Sequence, residues 1–155
     1  MTNPVYRHLV APHSAGTTPF LFLPDGGTLS HCDFVALVGR IASVLRDHGV
    51  RPGDRVVGQT PKTPETLALF FGCAQAGAVY LPLNTAYKGG EVAYFLSDAE
   101  PRVLVCDPRS ESALTETAKT AGTEVVLTLG TEGDGSVMDR SRDLDPEVGV
   151  VPRAA

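Results

Sequence analysis

The sequence predicts an α/β fold, a mostly parallel sheet with helices on both faces in flavodoxin-like layering, preceded by a small N-terminal hairpin. Three observations carry this. Short apolar runs of strand type alternate with stretches of helical apolar spacing between residues 30 and 129. Glycine, proline or a capping residue punctuates the joins between them. The chain has 155 residues, 43% of them apolar, enough to bury one substantial core but not two.

Each element has a local reason. Phe20-Leu21-Phe22-Leu23 is closed by Pro24-Asp25-Gly26-Gly27, a strong turn signal, and Thr28-Leu29 returns as a second short strand. Ser30 with Asp33 forms a variant capping box, after which Phe34, Leu37, Val38, Ile41, Val44 and Leu45 fall at helical spacing until Gly49 and Pro52 stop the helix. The stripe outweighs the cap, because each large buried side chain contributes roughly 1.5–3 kcal/mol against about 1 kcal/mol for the cap. Arg55 to Gln59 is a strand ending at Thr60-Pro61-Lys62. Thr63 caps the next helix, with Pro64 in its first position and Glu65 beside the positive dipole end, and the helix runs through Leu67, Phe70, Phe71 and Ala74 to Gly77. Ala78 to Leu83 is a continuous apolar run, the pattern of a strand covered on both faces. Asn84 to Gly90 is a polar connection, and Glu91 to Asp98 a short helix with Val92, Phe95 and Leu96 inward. Arg102 to Cys106 is another buried-type strand. Asp107-Pro108 then caps a helix marked by Leu114, Thr117, Ala118 and Ala121, and Glu124 to Leu129 is the last strand. Several doubly wound strand orders satisfy this pattern; the flavodoxin-like one is preferred.

Composition narrows the function classes. The net charge is −5 with no basic cluster, which argues against a nucleic-acid groove or an anionic membrane surface as partner. No apolar run approaches the roughly 20 residues of a membrane span, so the chain is expected to be soluble. Cys32, Cys73 and Cys106 form no Cys-x-x-Cys pair and have no histidine at ligand spacing, which speaks against a disulfide framework or metal site and fits a reducing cytoplasm. Residues 1–19 carry Pro4, Pro12 and Pro19, which break up any transit-type helix; they are expected to be an ordinary lead-in. Beyond Gly130 the chain turns rich in Gly, Asp, Ser and Arg, so 131–155 is expected to be a loop or poorly packed tail.

Candidate chemistry is sparse. Gly26-Gly27 reads as a hairpin turn rather than a phosphate loop, and Gly89-Gly90 precedes a helix but lacks the Gly-Lys-Ser/Thr ending. Asp47-His48 sits at a helix end, where a histidine suits the negative dipole, and His31 is expected on a solvated surface. No nucleophile elbow, zinc-protease motif or paired carboxylates occur, so no catalytic residue is assigned.

Three segments in register carry a resemblance. Leu29 to Phe34 with its helix and then Gly49-Val50-Arg51-Pro52-Gly53-Asp54-Arg55-Val56 are similar to the opening of the adenylate-forming enzymes, the superfamily of acyl-CoA synthetases, peptide-synthetase adenylation domains and luciferases. Gln75 to Tyr87 resembles the family's segment Ala-Gly-Ala-x-Tyr-x-Pro-Leu-Asn, and Glu91 to Pro108, with Tyr94 to Pro101 inside it, resembles the helix and strand that come next in the family. The resemblance covers roughly residues 20 to 130. Leu81 to Tyr87 and Ser97 to Pro101, followed by Val105-Cys106-Asp107-Pro108, look most like the malonyl-CoA synthetases.

The resemblance implies the N-terminal subdomain of the adenylate-forming fold, with 20–130 as a partial AMP-dependent synthetase/ligase domain. It implies a two-step acid–thiol ligase using ATP, Mg²⁺ and CoA. A small carboxylate, malonate by preference, attacks the α-phosphate to give an acyl-adenylate and pyrophosphate, and the CoA thiol then displaces AMP. The family's phosphate loop, Thr-Glu motif, ribose-holding aspartate and C-terminal lysine do not occur in these 155 residues. The chain stops about where such enzymes approach their phosphate loop, so it is expected to be an N-terminal piece, inactive alone, that works with a C-terminal remainder. Asn84, Thr85 and Tyr87 are its substrate-cleft candidates, since the motif ends at a strand end, although shaping the turn would account for them too. Arg102 reads as a solvated charge rather than a CoA phosphate contact. Another short- or medium-chain acyl-CoA synthetase, or a non-catalytic α/β binding module, stays open beside malonate activation.

Overall fold

Residues 19–30 pair as the expected hairpin: β1 (Pro19–Phe22) runs antiparallel to β2 (Thr28–Ser30), with an irregularity in register between Pro19 and Leu21. In the computed structural model, which describes residues 3–146, four parallel strands come next: β3 (Arg55–Gln59), β4 (Val79–Pro82), β5 (Val103–Cys106) and β6 (Val125–Thr128). They are ordered β4-β3-β5-β6. The chain steps from β3 to one side, then crosses back past β3 to β5 and continues outward to β6. This is the flavodoxin-like order.

The connections obey that order. Right-handed crossovers place a leftward and a rightward helix on opposite faces. Accordingly α3 (Pro64–Ala76) packs with α2 (His31–Asp47) on one face, and α4 (Gly89–Ala99) packs with α5 (Glu111–Thr120) on the other. Strand side chains alternate between the two cores. Val56, Val103, Val105 and Leu127 join the α2/α3 side, while Val57, Leu104 and Cys106 join Val92, Leu96, Leu114 and Ala118 on the other.

Caps form as the sequence requires. The Ser30 hydroxyl accepts from Asp33 N, and Thr63 Oγ1 accepts from Thr66 N. Gly77 closes α3 in the left-handed region at φ +81°. The buried side of α3 is its small-residue face, Ala68, Gly72, Cys73 and Ala76 with Leu69, while Phe70 stays partly exposed. Gly72 is the reason the helices approach closely: a Cβ there would stand 3.2 Å from Ile41 Cγ2 and 3.3 Å from Ala42 N.

Three expectations change. The lead-in 1–19 contains a short helix, α1 (Pro4–Leu9), whose Tyr6 is buried in the α2/α3 core, followed by a 3-10 turn at Ala11–His13. Pro4 starts this helix rather than breaking it, since the first turn needs no N–H from it, and Asn3 Oδ1 caps Val5 N. The tail is not all loop: α6 (Ser136–Ser141) buries Val137 in the same core, and residues 147–155 lie outside the described residues. Finally, β4 is an edge strand whose two faces are covered in part, Tyr80 packing on the α2/α3 core and Leu81 on the other. Val79 is 54% exposed, and Pro82 is tolerated because its missing N–H lies on a sheet edge.

Candidate functional site

The carboxyl ends of β3, β4 and β5 meet where the chain reverses direction across the sheet. In open α/β sheets this switch point is where a crevice forms, because the two connections leave it in opposite directions. A cleft of about 290 Å³ lies there, lined by Gln59, Pro61, Thr85, Asp107, Arg109 and Ser110. These residues come from the three segments that leave the three strands.

Gln59 ends β3 and is 6% exposed. Its Nε2 donates to Asn84 O at 2.9 Å and to Tyr87 O at 3.0 Å. Asn84 Oδ1 accepts from Ala86 N at 2.9 Å, and Asn84 O also accepts from Tyr87 N, which together make a tight turn. On the opposite wall Asp107 takes three bonds from Arg109: backbone N and Nε to Oδ1 at 2.8 and 3.0 Å, and Nη2 to Oδ2 at 2.7 Å. These bonds hold the Asp107 carboxyl below the usual carboxylate range and raise the Arg109 guanidinium. The third wall is fixed by hydroxyls. Thr66 Oγ1 donates to Pro61 O at 2.7 Å and lies 3.1 Å from Thr60 Oγ1, from which it can accept, and Thr60 also bonds the Tyr80 phenol, whose pKa burial pushes up to about 12.

Of the three cleft candidates, the structure places only Thr85 in the lining. Asn84 spends its side chain on the turn, and the Tyr87 ring stacks on Phe95 at 5.5 Å and 12°, inside the α4/α5 packing. Gln59, Arg109 and Ser110 carry no motif that marks them in the sequence, and Asp107, which lies in the resembling segment Val105–Pro108, reads there as a cap and not as a cleft residue. The signal that finds them is positional: each ends a parallel strand or lies within a few residues of its end.

The remaining candidates lie elsewhere. Gly26, at φ +85°, turns the hairpin. Gly89 borders a separate groove between α4 and α5, and the Glu91 carboxylate, accepting from Lys88 N at 2.9 Å, already occupies the start of α4. His48 Nδ1 donates to Val44 O at 2.7 Å and so closes α2. His31 is not a solvated surface residue: its ring packs between His13 and Phe20, with Nδ1 3.1 Å from Thr18 O. Arg102 precedes β5 at the amino-terminal end of the sheet, against Gly49, at the opposite end of the strands from this cleft. Burial pushes the Cys73 thiol up and raises Cys106 to about 12, so neither is a nucleophile at neutral pH.

Two motifs of the resemblance meet at that amino-terminal end of the sheet. Gly53 N donates to Gly77 O at 3.0 Å, Val79 N to Asp54 O at 2.8 Å, and Arg51 N to the Asp54 carboxylate at 2.8 Å. Arg55 Nε caps the end of α4 on Ala99 O at 2.6 Å, and Arg46 Nη2 caps α3 on Gln75 O at 3.1 Å. These residues brace the frame.

The cleft itself is polar, and its Asp107 and Arg109 charges balance. It offers hydroxyls, an amide and a paired guanidinium, suited to binding through hydrogen bonds. It holds no nucleophile beside a base. No group of three metal-ligating side chains is present among the described residues, and no helix among them is long and apolar enough to cross a membrane. A triphosphate with Mg²⁺ needs more charge than one guanidinium already held by its own aspartate. The described residues therefore do not fit ATP and Mg²⁺ by themselves, and no chemical step is assigned to them.

Comparison with known proteins places this frame. A sequence profile described as "AMP-binding enzyme" matches residues 10–151. The crystal structure of apo MatB from Rhodopseudomonas palustris superposes with a TM-score of 0.93 at 36% identity, over 99% of this chain and 30% of that one. Its ATP-bound form gives the same score over 100% of this chain and 31% of that one. A feruloyl-CoA synthase from Amycolatopsis sp. is 39% identical over 77% of this chain and 23% of its own length. An oxalate–CoA ligase from Arabidopsis thaliana is 32% identical over 75% of this chain and 25% of its own. The chain thus spans about a quarter of these curated relatives. With the profile covering nearly all of the sequence and the superposition all of the sheet, the chain belongs to the AMP-binding enzyme family.

Proposed function

We propose that the chain serves as the N-terminal part of an ATP-dependent acid–thiol ligase, which activates a small carboxylate, malonate by preference, as an acyl-adenylate and passes it to CoA. The observation that carries this reading is the match to MatB, a malonyl-CoA synthetase, at TM-score 0.93 over 99% of the chain. In this reading residues 20–130 form the partial ligase domain, with 1–19 leading into it and 131–155 leading out. The chain supplies one wall of the substrate cleft through Thr85 and its neighbours, while the charge needed for ATP and Mg²⁺ comes from the C-terminal remainder. Gathering that phosphate charge and aligning the carboxylate is work of positioning and electrostatics.

The acyl substrate has a second reading on specific grounds. Relatives of comparable identity are named for feruloyl and oxalate activation, so another carboxylate than malonate fits the same frame.

The test replaces the aligned third of R. palustris MatB with residues 3–146 of this chain and assays CoA thioester formation. Malonate, oxalate, ferulate and a medium-chain fatty acid are compared. The chimera is expected to form thioester only with ATP, fastest with malonate, while the isolated 155-residue chain forms none. A folded chimera that is inert toward every acid refutes the reading, and a preference for another acid refutes malonate alone.

A further inference from the structure

The shape of the cleft traces to the side chain of Gln59. A primary amide has two N–H groups and one oxygen, and here the nitrogen faces two carbonyl oxygens, Asn84 O at 2.9 Å and Tyr87 O at 3.0 Å. The orientation is set by those partners, since an amide oxygen turned toward two carbonyls would be repelled. Both donors being spent, Oε1 is the polar atom Gln59 can present to the cleft it lines. The two carbonyls stand at the two ends of the turn Asn84–Tyr87, and Thr85 is at its bow. The clamp reaches the next strand's connection from the end of β3, a central strand paired on both sides.

Exposure sharpens the point. Asn84, Thr85 and Ala86 are all exposed, so apolar packing does not fix the bow of this turn, whereas Gln59 is buried. A turn over a binding crevice holds one shape when a buried donor pair anchors both its ends.

We infer that Gln59 is a positioning residue: it holds Thr85 across the cleft from Asp107, Arg109 and Ser110, and so sets the width at which a ligand is gripped. The inference deepens the ligase reading and rests on it for the ligand's identity, while the clamp is a property of this chain. Gln59→Met keeps nearly the same volume and removes both donors. Gln59→Glu keeps the shape and, once ionised, offers acceptors only.

The first test is amide hydrogen exchange by NMR on the 155-residue chain. In both variants the protection of Ala86 and Tyr87, whose N–H groups are bonded within the turn, is expected to fall roughly tenfold or more while that of Val57 and Leu104 stays within about twofold. If Gln59→Met fails to fold, Gln59→Glu decides by pH. Its neutral form restores one donor and its ionised form none, so the protection of Tyr87 relative to Leu104 is expected to fall as pH rises. Turn protection equal to wild type in both variants, or a ratio as independent of pH as in wild type, overturns the inference.

The second test uses the chimeric ligase. Gln59→Met is expected to raise the KM of ATP, CoA or the acid roughly tenfold with kcat within about threefold, and a purely structural role would lower stability with neither constant moved. Unchanged constants in a folded variant overturn the cleft role. A parent chimera that makes no thioester refutes the ligase reading, and turn protection then decides the clamp on its own.

Discussion

Replacing Gly58 by alanine tests whether the central strand is built around a neighbouring phenol. Gly58 lies in β3 opposite Pro82 of β4, and a Cβ at this position would collide with the Tyr80 hydroxyl and stand 2.7 Å from both Cε2 and Cζ of its ring. The obstacle is rigid. An aromatic ring cannot flex at its tip, and this one is held edge-on by Phe70 at 5.9 Å and by its bond to Thr60. Gly58→Ala must therefore swing the ring outward. Overpacking of this kind costs about 1–3 kcal/mol, and replacing a strand glycine returns about 0.5–1 kcal/mol, leaving a net loss of about 1–2 kcal/mol. For a chain of this length that is a fall in Tm of roughly 3–8 °C, read by circular dichroism. A second readout is how that stability changes with pH. Burial, with a smaller contribution from Cys73, pushes the Tyr80 phenol up to about 12, so the folded state binds this proton more tightly than the unfolded state. Its contribution is present below the ordinary value near 10 and is lost as pH rises toward 12. Once the ring is displaced into water, this loss should shrink, which urea titrations at about pH 8 and about pH 11 would show. A variant as stable as wild type with an unshifted phenol refutes the reasoning.

Glu100 ends α4 at φ +43°, the one non-glycine residue with positive φ among the described residues. Its 3.8 Å pair with Arg55 is exposed and worth little, so Glu100→Gly is expected to stabilise the chain by about 0.5 kcal/mol in urea melts; destabilisation would count against strain at this cap. With Cys73 and Cys106 buried and raised, one equivalent of thiol reagent should react quickly at about pH 8, at Cys32, and the other two only in denaturant. Two fast equivalents would contradict the packing. Because Arg109 holds Asp107 low, the stability this pair contributes is present above the ordinary carboxylate value and lost as pH falls through the depressed one. Arg109→Met should move the Asp107 titration upward in carboxyl-detected NMR, and an unmoved titration would show that the pair does not persist in solution.

The frame is legible because its signals are local. Ser30 and Thr63 announce their helices, and the apolar runs of β3, β5 and β6 fall in the chain order that a doubly wound sheet demands. The features that escape a linear reading depend on neighbours. The run Ala78–Leu83 does reach both cores, through Tyr80 on one face and Leu81 on the other, yet β4 has a partner on one side only and leaves Val79 exposed, and no local pattern distinguishes an edge from a centre when the residues are equally apolar. Pro4 looks like a helix breaker beside Pro12 and Pro19, although Asn3-Pro4 is itself a start signal. The cleft is less legible than the fold. Thr85 belongs to a motif, but Gln59, Asp107, Arg109 and Ser110 belong to segments far apart in sequence that converge only through parallel register.

The strand that binds the sheet together is also the first of the four to be made. β3 hydrogen-bonds to β4 and β5, one and two strand–helix units later, so a growing chain carries its hub before either spoke exists. Until β5 emerges, the Val57 side of β3 lacks the Leu104 and Cys106 flank that completes its core. Synthesis from the N-terminus thus leaves an apolar, half-paired ribbon waiting for distant partners, the species most open to wrong pairing. Slowing translation between β4 and β5 should lengthen that wait and lower the soluble yield, whereas a pause after β6 should leave it unchanged.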